Sequence, residues 1–370
     1  MKPEKIREYY SDYFDSAQIA LLLNWGCIIG IVFFPVQVWL CSKPEGFHKS
    51  MSLGICLCFL SRIIVISASI SSSSITALFL AHLGQILNAA SGPLCMGTVT
   101  RLAIIWFPGR QMSLAVSLAI ASNGFGTNIA FLLGPIIASN SNGIETLLIV
   151  GLFLSAMPVL LLCLLPRRPL NVAGEHQFEE RFEFWDGFKK AISNRNYGLV
   201  LFATGVLCGV TTGWQGVMQS SLNGIYSDTD IGLLAFSFGM SGNIGAISSG
   251  FLDNENHIVR NIWIAGCVLL VCVVSFSVLI SSHVSLAVMI SLMSLSGLVY
   301  GGLQPMLYTL SSGLVFPVHE GTSVGILVFG INFWGQILIM VSATVPPQWM
   351  NPIYIVSIVL VYIMLVPVKK

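Results

Sequence analysis

The stretch RLAIIWFPGRQMS, residues 101–113, contains the pattern that decides the fold. Apolar residues run up to Trp106 and Phe107, a few polar residues interrupt them, and apolar sequence then resumes. Pro108 lacks the N–H group that a continuing helix needs, and the charge of Arg110 favours contact with water. The stretch therefore predicts a short turn in water between two membrane-spanning helices.

The composition of the whole chain extends this pattern. Of its 370 residues, 55% are hydrophobic and only 9% are charged. An ordinary soluble domain carries roughly 25% charged residues. So few charges cannot cover a surface in water, and we expect the lipid bilayer around much of the chain. The formal net charge is +1 and the sequence has no basic face, so we do not expect nucleic acid as a partner.

The sequence gives no sign of a metal site, a cofactor or an active site. The nine cysteines lie within apolar runs or at their edges, where a thiol behaves as a small hydrophobic group. No CxxC pair and no His/Cys ligand spacing occurs. No nucleophile–base pair occurs in the apolar runs, so we do not expect an enzyme. The polar N-terminal stretch lacks the apolar centre of a signal peptide.

A helix needs about 20 apolar residues to cross a bilayer. The apolar runs and their polar breaks therefore predict an all-α polytopic membrane protein with eleven spans. Two of the runs exceed the length of one perpendicular helix, which predicts tilt or extension beyond the hydrocarbon. The predicted spans are 17–40, 51–70, 75–105, 113–138, 145–166, 197–221, 231–251, 261–281, 284–312, 321–345 and 352–367.

The basic residues of the loops fall on one side of the predicted membrane. Those on alternate loops and at the C-terminus are Lys43, Lys49, Arg110, Arg167, Arg168, Arg181, Lys189, Lys190, Arg195, Arg260, Lys369 and Lys370. The intervening loops contain no Lys or Arg. The positive-inside rule places the basic loops in the cytoplasm. An odd number of spans then places the N-terminal segment, residues 1–16, outside.

The long cytoplasmic loop, residues 167–196, divides a bundle of five spans (17–166) from a bundle of six (197–370). Two bundles joined in this way are typical of a transporter whose substrate site lies between its halves near the midplane. Two interpretations of the loop stay open, an amphipathic piece at the membrane interface or a solvated linker with one short helix. In either interpretation, the loop contains several aromatic residues among its charges: Phe178, Phe182, Phe184, Trp185 and Phe188.

Several segments are recognisable. IIWFPGRQMSLAVSLAIASNGFGTNIAFLLGP (104–135), GQILNAASGP (84–93) and FPVHEGTSVGILVFGINFWGQ (316–336) resemble the feline leukaemia virus subgroup C receptor-related family, solute carrier family 49, of the major facilitator superfamily. AQIALLLNWGCIIGIVFFP (17–35) and GVTTGWQGVM (209–218) are most similar to its "disrupted in renal carcinoma 2" branch. The resemblance covers nearly the whole chain.

This resemblance implies a fold of twelve helices, so the odd span count implies that the first family helix is missing. It also implies alternating-access transport of a small organic solute: choline and related cations, vitamin B6 such as pyridoxine, or haem. A non-transporting membrane receptor or scaffold is the alternative. We expect a monomer without cofactors in the lysosomal or plasma membrane.

The candidate substrate contacts are aromatic and amide side chains, because all sixteen Asp and Glu lie in loops, at the N-terminus or at helix ends. The ring faces of Trp25 and Trp214 can attract a cation, although packing is the alternative that we favour. Gln215 follows Trp214 within GWQG (213–216), where glycines can open a helix locally. The absence of a mid-span carboxylate favours uniport or weak proton coupling, with His82 the one histidine well inside a predicted span.

Amides on three other spans are further candidates. Gln85 and Asn88 lie three residues apart on one helical face. Asn123 and Asn128 add amides in the next span. The family resemblance implies that Asn332 lines the substrate cavity. For each amide, a bond to a neighbouring helix is the alternative.

Charged residues near the spans are candidates for gating or structure. Arg62, within FLSRIIVI, would cost about 2.5–3.5 kcal/mol at the bilayer centre, so it must face protein or water. Arg62 could contact an anionic substrate or a gate. The alternative, which we favour, is a hydrogen bond to a neighbouring helix. Arg101 is expected to extend to water from the end of its span. Asp253 and Arg260 match a superfamily gating loop, with an ordinary solvated loop as the alternative.

Two further features concern helix packing and the cytoplasmic gate. GFGT (124–127) and GMSGNIGAISSG (239–250) are dense in small residues, which predicts close helix packing. Relatives carry acidic residues near the cytoplasmic end of the ninth span, where this chain has Thr309 and Gly313. Glu320 remains as the acidic residue of that region.

Overall fold

The computed structural model describes residues 16–41, 46–71, 73–99, 102, 106–107, 110–138, 143–164, 184–252, 257–280, 282, 284–316, 318, 320–342 and 344–368. Regular structure in these ranges is helical. Two of the residues predicted to act in gating, Arg101 and Asp253, lie outside them.

The helices are numbered in chain order. Their bounds are α1 Ser16–Cys41, α2 Gly46–Ile70, α3 Ser74–Met96, α4 Arg110–Ala138, α5 Gly143–Leu164, α6 Phe184–Ser193, α7 Arg195–Leu222, α8 Asp228–Leu252, α9 Ile258–Ile280, α10 Leu286–Leu314, α11 Glu320–Ser342 and α12 Met350–Leu365. Each of the eleven predicted spans coincides with one of the long helices. Within the described ranges, nine helices are long and apolar enough to cross a membrane, and α1 contributes a shorter apolar segment, Asn24–Phe33. The prediction of an all-α polytopic membrane protein is therefore confirmed.

One predicted span is interrupted by a turn in the structure. The third span was expected to continue to residue 105, but α3 ends at Met96. The Gly97 N–H group still bonds to Pro93 O at 3.0 Å, and the Thr98 hydroxyl then donates to Cys95 O at 2.6 Å. The Leu102 N–H group donates to Thr98 O at 2.8 Å, which is again a helical hydrogen bond, and residues 99, 102 and 106 are helical. After a turn at residues 97 and 98, the apolar run is therefore helical again where the structure describes it.

The chain divides into two compact units. Unit 1 comprises Met1–Asn123 and Gly134–Gln177, and unit 2 comprises Gly124–Leu133 and Phe178–Lys370. The two ends of α4 belong to unit 1, whereas its middle belongs to unit 2.

In unit 1, helix α2 packs against α3 and α5, and α1 packs against α3. The Ser50 hydroxyl donates to Leu94 O at 3.0 Å and ties α2 to α3. A small buried cluster of Ala68 and Ala81 lies between the same two helices. This unit therefore joins its helices through small side chains and polar contacts.

Unit 2 is built around α7, which is mostly buried. Helix α7 packs against α11 and α12, α8 packs against α10, and α9 packs against α10 and α12. Gly209 and Gly335 allow the backbones of α7 and α11 to touch, since a Cβ atom on Gly335 would lie 3.1 Å from Gly209 O. The small residues at these positions thus set the spacing between the two helices.

The middle of α4 packs on α8 through two reciprocal contacts. The Asn128 carboxamide covers Gly239, and the Asn243 carboxamide covers Gly124. A Cβ atom on either glycine would overlap the asparagine of the other helix. The close packing predicted for these two small-residue segments is present at this crossing.

The central loop contains helix α6, and Asn194 joins it to α7. The Asn194 Oδ1 atom accepts the N–H groups of Asn196 and Tyr197 at 3.0 and 3.2 Å, which caps α7. The Asn194 Nδ2 atom donates to Leu314 O at 2.9 Å. Buried Ala191 packs against Tyr197 in unit 2. The described part of the loop is therefore one short helix that packs within unit 2.

Candidate functional site

A chain of hydrogen bonds joins α1 and α3 in unit 1. The Trp25 indole Nε1–H donates to His82 Nδ1 at 2.9 Å, and His82 Nε2 lies 2.8 Å from Gln18 Oε1. Because Nδ1 must accept from Trp25, the proton of a neutral His82 lies on Nε2 and is donated to Gln18. The hydrogen-bond network thus assigns a neutral imidazole to His82, and a second proton would break its bond to Trp25.

Trp25 is half-buried, and its N–H group is already engaged by His82. The two rings meet edge to face, with centroids 6.3 Å apart and planes at 80°. The faces of the indole are therefore the part of Trp25 that remains to attract a cation.

Arg62 makes contacts across three helices of unit 1. Its Nη2 group donates to Asn88 Oδ1 on α3 at 3.5 Å. A Cβ atom on Gly151 of α5 would lie 3.7 Å from Arg62 Cδ, so the side chain lies against this glycine. The geometry matches the interhelical interpretation of Arg62. The same hydrogen bond gives Asn88, which was predicted as a substrate contact, a structural role.

Gln85 lies one turn along α3 from His82 and is half-buried. Its side chain has no hydrogen-bond partner in the described part of the chain. Of the two α3 amides that the sequence singled out, Gln85 is therefore the one available to a solute.

Trp214 lies in the core of unit 2, with 2% of its surface exposed. Its Nε1–H group donates to Asn351 Oδ1 at 2.9 Å. The ring stacks on Tyr354, with centroids 5.0 Å apart, and contacts Phe238 and Phe276 in T-shaped geometry. Since aromatic neighbours cover the ring, we assign Trp214 to packing rather than to substrate.

The glycines of GWQG do not open the helix locally, because α7 continues through residues 213–216. Gly213 instead faces α11, where a Cβ atom would lie 2.9 Å from Gly335 O. This glycine is needed for close helix approach. Gln215 remains half-buried without a hydrogen-bond partner among the described side chains and backbone.

A polar stripe on α10 was not predicted from the sequence. Tyr300, Gln304 and Tyr308 recur every four residues and share one face of the helix. Gln304 Nε2 donates to the Tyr308 hydroxyl at 2.8 Å, and the Tyr300 hydroxyl approaches Cys208 O on α7 at 3.5 Å. The four-residue spacing was the signal that could have identified it.

Helix α11 carries two amides one turn apart. Asn332 is exposed, and its Nδ2 group donates to Val328 O of the same helix at 2.9 Å. Gln336 follows on the same face, with both its amide nitrogen and its amide oxygen buried. Sequence analysis identified Asn332 but not Gln336.

The predicted gating residues are only partly described. Arg260 is exposed in the first turn of α9, and Glu320 is the first residue of α11. Thr309 and Gly313 are exposed near the end of α10. Among the residues that the structure describes, no group of His, Cys, Asp and Glu is placed to hold a metal ion.

Comparisons with known proteins bear on this geometry. A family model described as Major Facilitator Superfamily matches residues 5–340. The chain is 24% identical over 370 residues to the solute carrier family 49 member 4 homolog of Xenopus laevis, covering 91% of this chain and 79% of that protein. It is 22% identical over 274 residues to the choline/ethanolamine transporter FLVCR1 of Felis catus, covering 68% of this chain and 49% of that protein.

The structural likeness is broader than the sequence likeness. The solved structure of a D-xylose–proton symporter aligns with 96% of this chain and 88% of its own, with a TM-score of 0.72 and 13% identity. At that identity the likeness concerns the fold alone. The resemblance to solute carrier family 49, first noted in short segments, is confirmed by the relatives found.

Proposed function

The chain belongs to the major facilitator superfamily, and we propose that it transports a choline-like organic cation by alternating access of two helix bundles. The observation that carries this proposal is the family match over residues 5–340. The matched residues include nearly all the long helices. The carriers of this superfamily share an arrangement of two helix bundles.

The substrate class rests on a relative and on the side chains available. FLVCR1 of Felis catus is named as a choline/ethanolamine transporter. In this chain, Trp25 offers ring faces for a quaternary ammonium group. Gln85 in unit 1 and Asn332 in unit 2 are separate candidates for an amide contact with a polar group of a solute. A vitamin B6-like compound is the other solute that these neutral polar groups suit.

The placement of acidic residues favours uniport or weak proton coupling. Within the described long helices, Glu145 lies in the first turn of α5, Asp228 and Asp230 lie in the first turn of α8, and Glu320 begins α11. A carboxylate relay would need such a group away from the helix ends. Transport would then follow the substrate gradient.

Uptake of labelled choline and pyridoxine tests this proposal. Cells that produce the chain should take up choline saturably above vector-only cells, in the plasma membrane or after redirection from lysosomes. Asn332→Leu should lower uptake by about tenfold through loss of one hydrogen bond. Uptake of neither compound above the vector control contradicts the proposal, and uptake of pyridoxine alone would change the substrate class.

Dissipation of the proton gradient separates the coupling modes. Uniport predicts that choline uptake persists when an ionophore dissipates the proton gradient. Abolition of uptake by the ionophore, with the choline gradient unchanged, would show that transport is proton-driven.

A further inference from the structure

Gln336 is unusual among the buried polar side chains. Neither its Nε2 nor its Oε1 atom has a hydrogen-bond partner in the described part of the chain. In Asn24, Thr204 and Asn243, by contrast, a single buried atom lacks a partner. Gln336 is thus the one described residue in which a whole carboxamide is buried and unpaired.

Burial of an unpaired amide is costly, because both polar atoms give up water without a replacement. A membrane protein gives the amide even less opportunity to recover that loss from solvent. Such a group in a native protein calls for an explanation, and a ligand that supplies the missing bonds is one of them.

The position of Gln336 supports a ligand. Asn332 lies one turn away on the same face of α11 and is exposed. The adjacent Gly335 lies against Gly209 of α7, so the neighbouring residue is the one that makes the close helix contact. The Asn332–Gln336 stripe therefore runs from an accessible amide to a buried one. A solute that reaches Asn332 comes within one helical turn of Gln336.

We propose that Gln336 is a specificity-determining residue that binds a hydroxyl group of the transported solute. This inference rests on the proposed function. A carboxamide presents a donor and an acceptor side by side, and a hydroxyl group can accept from Nε2 and donate to Oε1. A bare ammonium group offers no acceptor, and a carboxylate offers no donor.

The proposal predicts discrimination between two cations of nearly equal size. Choline carries a hydroxyl group, whereas ethyltrimethylammonium carries a hydrogen in its place. A site built to bond a hydroxyl group rejects the analogue without it, because the buried amide then stays unpaired. The wild-type chain should therefore prefer choline in competition uptake.

Gln336→Met tests the assignment through two readouts. Its side chain has a similar length and shape but no group that needs a hydrogen bond. We expect the thermal unfolding temperature of the purified, ligand-free protein to rise. We expect the preference for choline over ethyltrimethylammonium to fall by about tenfold or more. A merely structural role would not produce a rise in stability together with a loss of discrimination.

Gln304→Met is the matched control, because the Gln304 amide donates to the Tyr308 hydroxyl at 2.8 Å. This variant should unfold at a lower temperature and keep its preference for choline. A lower unfolding temperature in Gln336→Met, or an unchanged choline preference, would overturn the proposal for Gln336. Absence of uptake by the wild-type chain would instead contradict the proposed function and this inference with it.

Discussion

Trp25 in unit 1 and Trp214 in unit 2 occupy similar depths in their helices but different surroundings. Each lies about 12–14 Å from one end of its helix at a rise of 1.5 Å per residue. The Trp214 ring is covered by aromatic side chains and 2% exposed, whereas Trp25 is half-buried beside His82. The same residue type thus fills a core in one unit and belongs to a polar network in the other.

This difference extends to the packing of the two units. Unit 2 has a large buried core around α7, and glycines bring its helices into backbone contact. Unit 1 joins α1, α2 and α3 through the Gln18–His82–Trp25 chain and the Arg62–Asn88 bond. Interhelical hydrogen bonds in membranes contribute around 0.6 kcal/mol on average, so packing should dominate stability in unit 2.

The largest expected effect is that of Trp214→Ala. Loss of a buried tryptophan should lower the free energy of unfolding by about 3–5 kcal/mol, since the stacked neighbours cannot close the cavity. Thermal or denaturant unfolding of the purified protein measures this change. Trp214→Phe is the control and should cost less, because it keeps a ring in the core.

The same experiment decides between packing and substrate contact. If Trp214→Ala unfolds like the wild-type protein and yet loses choline uptake, the assignment to packing is wrong. The two tryptophans would then be alike in function despite their different surroundings.

Gly239→Ala should have the next largest effect. The added Cβ atom would overlap the Asn128 carboxamide on α4, and overpacking of this kind costs about 1–3 kcal/mol. The free energy of unfolding should fall accordingly, and Asn128→Ala should restore much of the loss in the double variant.

Gly126→Ala provides the matched control on α4. A Cβ atom at Gly126 has nothing within 4 Å, so this variant should be neutral or stabilising by up to about 1 kcal/mol. If Gly126→Ala is as harmful as Gly239→Ala, helix contact at the Asn128–Gly239 crossing is not the cause.

The long helices could be predicted because the bilayer sets a minimum length for an apolar span. That constraint is strong enough to locate all eleven long helices from the sequence. It says little about helix ends, and the turn at residues 97 and 98, where α3 ends, was not predicted. The G-x-x-x-N pattern in residues 124–128 and 239–243 was also visible, but its pairing requires the fold.

The polar partners could not be predicted because they are distant in the chain. Trp214 bonds to Asn351, which follows it by 137 residues, and Trp25 bonds to His82 across 57 residues. A sequence pattern identifies a tryptophan in a span but not the group that takes its N–H bond. The same limit applies to Gln336, whose position relative to Asn332 was visible while its unpaired state was not.

The smallest effect concerns the Trp25–His82 bond and tests the polar half of the comparison. In a double-mutant cycle of Trp25→Phe and His82→Phe, each single change removes one partner and the pair removes both. The coupling free energy should be about 0.6 kcal/mol, and below about 1.7 kcal/mol, in unfolding measurements.

Thr211 and Tyr354 in unit 2, whose hydroxyl groups lie 3.1 Å apart, supply a reference pair for the cycle. A coupling near zero at Trp25–His82, with a clear coupling at the reference pair, would mean that unit 1 is not held by this network. Trp25 would then be free to turn toward solute, and its role would be binding alone.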